Sequence, residues 1–398
     1  MLISTTPKLK SICEELTAKE PKFIAVDTEF IRNNLAYYPK LSLIQISYGE
    51  RNFIVDALAP EIDLSPIKEL LLSQDIIKVF HSCRQDIESL LTVFKCIPAP
   101  IFDTQVAAMF CYYYHDFIGY SKVVEKYRGV VLDKIKAKNS DWLKRPLSED
   151  QLDYAINDVT HLYYLYQILN DKLEENNRIS WFQEEMESVT DINKYLHNPK
   201  NAWKRIKFDC EANPVTIKAV TEWQETLAQR CNMNRNKVVN NSIITRLIEK
   251  NVKRVDEVLD ILKKNTKNIK EEDLLEFIDI FNENERNLVQ QDDVASVNYD
   301  KSVFDILSII LESQCKENNI SRKLVASKDE LIESIYEQKG RLFENWRYEF
   351  FGKSIEAFLN TSSKFEVLAV KSTNNIIKTQ ISAQPSSKIK SKQEMLKG

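Results

Sequence analysis

The sequence predicts an α/β domain with a mixed sheet flanked by helices, followed by two all-helical domains. Three observations carry this. Short apolar β-like runs alternate with helical segments over the first 110 or so residues, a tight turn joins two of those runs, and after about residue 145 strand signals give way to helices divided by short polar breaks.

The strand candidates, in order, are Phe23-Ile24-Ala25-Val26, Ser42-Leu43-Ile44-Gln45-Ile46-Ser47, Asn52-Phe53-Ile54-Val55 and Ile76-Ile77-Lys78-Val79-Phe80. Tyr48-Gly49-Glu50-Arg51 links the second to the third as a hairpin, so at least one antiparallel pair enters the sheet. Ile87, Leu90, Leu91 and Phe94 then mark a helix face directly after the fourth strand. Further on, Ser148 and Gln151 form a capping box flanked by Leu147 and Leu152, which fixes where the next long helix begins. Polar breaks fall near Glu174–Asn177, Asn265–Glu272 and Asn282–Asn287. The resulting division is 1–200 for the α/β domain with linking helices, 211–290 and 300–362 for the helical domains, and 363–398 for a basic tail. That tail is rich in Ser, Lys, Gln and Asn and is expected to be mobile.

Composition excludes several functions. The six glycines (Gly49, Gly119, Gly129, Gly340, Gly352, Gly398) form neither G-x-G-x-x-G nor G-x-x-x-x-G-K, so no dinucleotide or Walker-type phosphate loop exists. Seven scattered cysteines without a C-x-x-C pair provide no zinc or redox motif and read as reduced thiols. No run approaches the roughly 20 apolar residues that cross a bilayer. The expectation is a cytoplasmic monomer without membrane attachment or nucleotide cofactor.

Net charge is −4, yet charge is unevenly placed: between Lys122 and Arg145 eight basic residues face three acidic ones, and the tail from Thr361 carries +5. A basic stripe on an acidic chain suits a polyanion at one face. Lys144 and Arg145, at the end of the stretch Lys134–Arg145, are the candidates for phosphate contact, with Trp142 beside them. The aromatic residues Phe110, Tyr112, Tyr113, Tyr114, Phe117 and Tyr120 could stack bases, but their spacing favours core packing.

The acids are more specific. In Val26-Asp27-Thr28-Glu29-Phe30 two carboxylates lie two apart on a strand, hence on one face, and they repel unless a cation lies between them. Asp86 sits at a strand-to-helix junction, where an acid is also an ordinary helix cap. On the capped helix, Tyr154 and Asp158 lie four apart on a stripe continued by His161 and Leu165. Asp27, Glu29, Asp86 and Asp158 together offer four hard oxygen ligands, which suit Mg²⁺ or Mn²⁺ rather than zinc. Two such ions, with Tyr154 orienting water, would serve phosphodiester hydrolysis. Thr28 and His81, next to these acids, are candidates to touch a terminal nucleotide.

The order Asp-x-Glu, Asp, Tyr-x-x-x-Asp resembles the DEDD exonuclease superfamily in its tyrosine-bearing branch; the histidine branch would place His where Asp153 stands. Within it the chain resembles the ribonuclease D family over Phe23–Phe30, Leu43–Ile46, His81–Leu90, Phe102–Gln105, Tyr127–Lys134, Asp141–Leu147 and Tyr154–Asp158. Trp223–Asn232 is similar to the opening of an HRDC domain, a small helical nucleic-acid-binding module, with Asn234 where proline is common. Arg341–Gly352 is similar to the close of a second HRDC-like domain. The resemblance implies a ribonuclease-H-like 3′–5′ exonuclease fold followed by two HRDC-type domains. It also implies trimming of tRNA precursor 3′ ends with release of 5′-mononucleotides. A DNA exonuclease of the same fold and a non-catalytic RNA-binding module stay open, the latter weakened by the presence of all four acids.

Overall fold

The computed structural model describes residues 1–132, 140–205, 214–249, 257, 261–262, 269–286, 301–360, 366–371 and 377–382. Lys134, Lys136 and Lys138 of the basic stretch, and most of the lysine-rich tail, lie outside these residues. Two compact units form, one from Met1–Asp103, Leu132–Tyr164 and Met186–Ala295, the other from Thr104–Val131, Leu165–Glu185 and Ser296–Gly398.

The first unit is built on a six-stranded mixed sheet: β1 (Leu2–Ile3), β2 (Phe23–Ile31), β3 (Lys40–Tyr48), β4 (Arg51–Asp56), β5 (Ile77–Phe80) and β6 (Ile101–Asp103), in the order β1-β4-β3-β2-β5-β6. β3 runs antiparallel to β2 and β4, while β2, β5 and β6 are mutually parallel. The expected hairpin joins β3 to β4, and Gly49 takes the left-handed conformation (φ +64°) that a tight turn requires. All four expected strands are present, and β2 continues five residues past Val26, so Asp27 lies inside it. The two- and three-residue strands β1 and β6 are too short to show a periodic pattern. Helices α1 (Thr6–Thr17) and α2 (Ser65–Leu72) pack together, and α3 (Arg84–Phe94) packs on β2 and β3.

A helical group belongs to the same unit: the helices Pro214–Arg230, Arg235–Val238, Asn241–Glu249 and Glu271–Arg286. Its core gathers Ile217, Val220, Trp223, Leu227, Val238 and Phe277, and Tyr37 from the β2–β3 loop packs against it. That loop is fastened in detail. Asn232 Oδ1 accepts from the N–H of Tyr37 (3.1 Å) and Tyr38 (3.0 Å), and the Asn234 N–H donates to Leu35 O (2.8 Å). The last bond is one that proline at 234 could not make. Glu225, fully buried, accepts from the Tyr37 hydroxyl and from Arg235, with Arg205 at 3.4 Å. The two guanidiniums and the phenol hold its carboxyl down at about 2 against the opposing effect of burial.

The second unit contains α4 (Thr104–Cys111), α5 (Tyr120–Arg128) and helices from Lys301 to Asn360. Trp346 stacks on Trp181 (5.2 Å between rings) and donates through Nε1 to Glu185 (2.9 Å). The buried Arg347 donates to Leu324 O (2.8 Å), Val325 O (3.0 Å) and Glu185. Gly352 is required here, because a Cβ would fall 2.1 Å from Leu342 O. Of the aromatic cluster only Phe110 is a fully buried core residue. α4 ends at Cys111, which leaves Tyr112 and Phe117 exposed. The expectation that strands end near residue 145 is corrected: β7 (Glu366–Lys371) and β8 (Ile377–Ser382) pair antiparallel. Their β-branched runs were outweighed, in a composition count, by the lysines and serines around them.

Candidate active site

Asp27 and Glu29 project from one face of β2, opposite Gln45 and Leu43 of β3. The register shifts immediately after Glu29, where Ser42 drops out of the pairing as a bulge, a device that re-aims side chains beside active sites. Ser42 Oγ donates to Trp142 O (2.5 Å) and so ties the loop leading to α6 (Glu149–Glu175) onto the sheet.

The start of α6 is set as its sequence predicts. Ser148 N donates to Gln151 Oε1 (3.0 Å) and Gln151 N to Ser148 Oγ (3.2 Å). Trp142, Leu43, Ile54 and Ala155 form an apolar cluster beneath it, with Leu147, Leu152 and Tyr154 at its margin. Further along, Asn52 Nδ2 donates to Thr160 Oγ1 (2.8 Å) and Tyr163 stacks on Phe23 (4.6 Å between rings). The helix thereby lies along the face of the sheet that bears the two acids, and Asp158 meets them. One carboxylate oxygen from each of Asp27, Glu29 and Asp158 lies within 4.8 Å of the others.

Asp86 arrives from a different direction, in the first turn of α3, buried, and its Oδ1 accepts a 2.6 Å bond from Thr28 Oγ1. The turn before α3 is held by Asp103, whose two oxygens accept the N–H groups of Ser82 and Cys83, both at 2.9 Å. The turn that Asp103 holds lies about twenty residues earlier along the chain and shows only in the fold.

These acids dominate the local electrostatics. Burial, then Asp86, Asp158 and Glu29, hold Asp27 well above the usual carboxylate range. Burial, then Asp158 and Asp86, push Glu29 up to about 9. Burial raises Asp86 to about 7 although the Thr28 bond opposes it. Carboxylates held in this way either keep protons or take a cation, and an all-oxygen donor set matches a hard divalent ion. Tyr154 shares a hydrogen bond with Asp158. Burial and the charges of Asp158, Glu29 and Asp27 raise its phenol further, so it stays protonated near neutrality.

The expected substrate contacts divide. Lys144 is exposed, and His81 follows β5 half-buried. Thr28 is buried with its hydroxyl donating to Asp86, which anchors that acid. Arg145 is bound within the chain. Its Nε and Nη2 form a fork on Asp56 (2.8 and 2.7 Å), Nη2 also donates to Ser42 Oγ (3.1 Å), and Nη1 donates to Trp142 O (2.8 Å) and Lys144 O (2.9 Å). Trp142 is buried beneath. A basic run in sequence does not reveal that one of its members closes an ion pair with a residue 89 positions away.

Residues 1–174 match a family model described as 3′–5′ exonuclease, a domain type that uses divalent metal ions. Ribonuclease D of Zymomonas mobilis is 33% identical over 384 residues, covering 92% of this chain and 95% of its own. Ribonuclease D of Sphingobium indicum is 32% identical over 364 residues, covering 88% and 92%. The crystal structure of Escherichia coli RNase D, described as an exoribonuclease involved in structured RNA processing, superposes with a TM-score of 0.76 at 25% identity. That match covers 92% of this chain and 99% of that one. Among the described residues no helix is long and apolar enough to cross a membrane. With its carboxylates gathered at the exonuclease site and relatives matching along nearly the whole length, the chain belongs to the ribonuclease D family and is a hydrolytic 3′–5′ exoribonuclease.

Proposed function

We propose that the chain trims the 3′ ends of structured RNA precursors, tRNA precursors among them, in the cytoplasm and releases 5′-mononucleotides by two-metal-ion hydrolysis. The observation that carries this reading is the convergence of Asp27, Glu29 and Asp158, with Asp86 anchored beside them through Thr28. Asp27, Glu29, Asp86 and Asp158 would hold a pair of divalent cations, Mg²⁺ or Mn²⁺. Bound there, the cations would supply the charge that activates water and stabilises the departing 3′ oxygen.

The chain's own groups do the rest. Tyr154, protonated and hydrogen-bonded to Asp158, orients the attacking water without acting as a base. Lys144, exposed at the approach to α6, binds a backbone phosphate of the entering strand. His81, directly after β5, contacts the terminal nucleotide in this reading. The helical segments 211–290 and 300–362 act as HRDC-type domains that add RNA affinity.

The test is digestion of a 5′-labelled precursor tRNA with Mg²⁺, with and without EDTA, beside matched single-stranded RNA and DNA. The expected result is a ladder shortening from the 3′ end, abolished by EDTA and absent on DNA. Digestion of DNA at the RNA rate, or cleavage in EDTA, would refute it.

A further inference from the structure

The face of the sheet that bears Asp27 and Glu29 also bears a row of buried polar side chains that the hydrolytic machinery does not use. Gln45 lies directly opposite Asp27 on β3, Ser47 is two residues along the same face, and Asn52 faces Ser47 from β4. Gln45 and Ser47 are fully buried. Both amide atoms of Gln45, Ser47 Oγ and Asn52 Oδ1 have no hydrogen-bond partner among the described residues. Asn52 Nδ2 reaches Thr160 Oγ1 on α6, two residues past Asp158, so the row runs beneath the helix that closes the carboxylate site.

Buried polar atoms are almost always paired, and adjacent unpaired ones inside a protein are ordinarily bridged by internal water making about three hydrogen bonds. Packing does not call for an amide at position 45. Its neighbours Leu43 and Ile54 belong to an apolar cluster that an aliphatic side chain would extend. A glutamine amide does offer both polarities, donating from Nε2 toward a carboxylate and accepting at Oε1 from water.

We propose that Gln45, Ser47 and Asn52 enclose ordered water at the floor of the carboxylate site, and that Gln45, through this water, fixes the orientation of Asp27. Gln45 is thus a positioning residue, in the sense that groups behind a metal ligand orient it and tune its affinity. The inference rests on Asp27 being a cation ligand.

Two measurements on the full chain test it. A crystal structure that resolves internal solvent should contain water within hydrogen-bond distance of Gln45, Ser47 and Asn52; a dry floor would overturn the proposal. In the second, Gln45→Met keeps the shape and removes the amide. Calorimetric Mn²⁺ affinity and kcat are each expected to fall about 10–100-fold, with KM for RNA and thermal stability unchanged. Ser47→Ala, at the far end of the row, should weaken Mn²⁺ binding several-fold in the same direction. Wild-type Mn²⁺ affinity in both variants would overturn the proposal. If Gln45→Met does not fold, Ser47→Ala and the solvent structure decide. Failure of the unmodified chain to bind Mn²⁺ would instead refute the cation site itself, an outcome separate from loss of binding in a variant.

Discussion

Cation binding at the carboxylates must expel protons, and the pKa shifts give the number. Without a cation, Glu29 sits at about 9 and Asp86 at about 7, with Asp27 raised as well. At pH 7 Glu29 therefore holds nearly one proton and Asp86 about half of one, while ligation requires both groups ionised. Binding should release at least about 1.5 protons from Glu29 and Asp86, and more with Asp27, which is raised as well, so apparent affinity rises about 30-fold or more per pH unit near pH 7. Above pH 9 the dependence flattens. The assay is Mn²⁺ calorimetry in two buffers of different ionisation enthalpy, at pH 7 and again at pH 9.5. A buffer-independent heat at pH 7 would show that the acids are already ionised and refute the reasoning. Stability of the cation-free chain runs the other way. The raised carboxyls make the cation-free folded chain bind more protons than the unfolded chain from about pH 4.5 up to 9, so its stability falls as pH rises through that window. EDTA should consequently lower Tm more at pH 8 than at pH 6.

Tyr154→Phe should slow hydrolysis about 10–10⁴-fold and leave Mn²⁺ affinity intact, as single-turnover rates beside calorimetry will register; a wild-type rate removes Tyr154 from the mechanism. Arg145→Met breaks a fork on Asp56 that is only partly open to solvent and should cost about 2–3 kcal/mol in a urea melt while leaving the salt dependence of RNA binding unchanged. Lys144→Ala should do the opposite, reducing the salt slope by about 1 with Tm unaltered. Glu225→Gln should lose about 2–3 kcal/mol at pH 7 and quicken hydrogen exchange across residues 33–38. Because Glu225 is held down at about 2, its contribution is complete above the unfolded value near 4.5 and disappears as pH falls toward 2. The gap between the two proteins should therefore close in acid, and a constant gap would contradict the assignment.

What the sequence disclosed was local. Asp27 and Glu29 share a face because strands repeat every two residues, Tyr154 and Asp158 share one because helices repeat every three to four, and the capping box at Ser148 sets that helix's phase. The hairpin followed from Gly49. What escaped depends on pairs distant along the chain. The fork of Arg145 on Asp56 and the burial of Trp142 under α6 join residues far apart along the chain. Glu225 is one acid among many in a helix, and only the approach of Tyr37, Arg205 and Arg235 makes it a buried anchor. Gln45 sits in an ordinary strand pattern; its unpaired amide has meaning only once Asp27 is known to lie beside it.

The most direct test of the account is single-turnover trimming of a 3′-hydroxyl RNA by Asp158→Asn and Asp27→Asn, with RNA affinity and thermal stability measured on the same samples. Each substitution removes one charge from the cation site and leaves side-chain shape intact. The account predicts loss of trimming by about 10³-fold or more at unchanged RNA affinity. Trimming at the wild-type rate by either variant would contradict it.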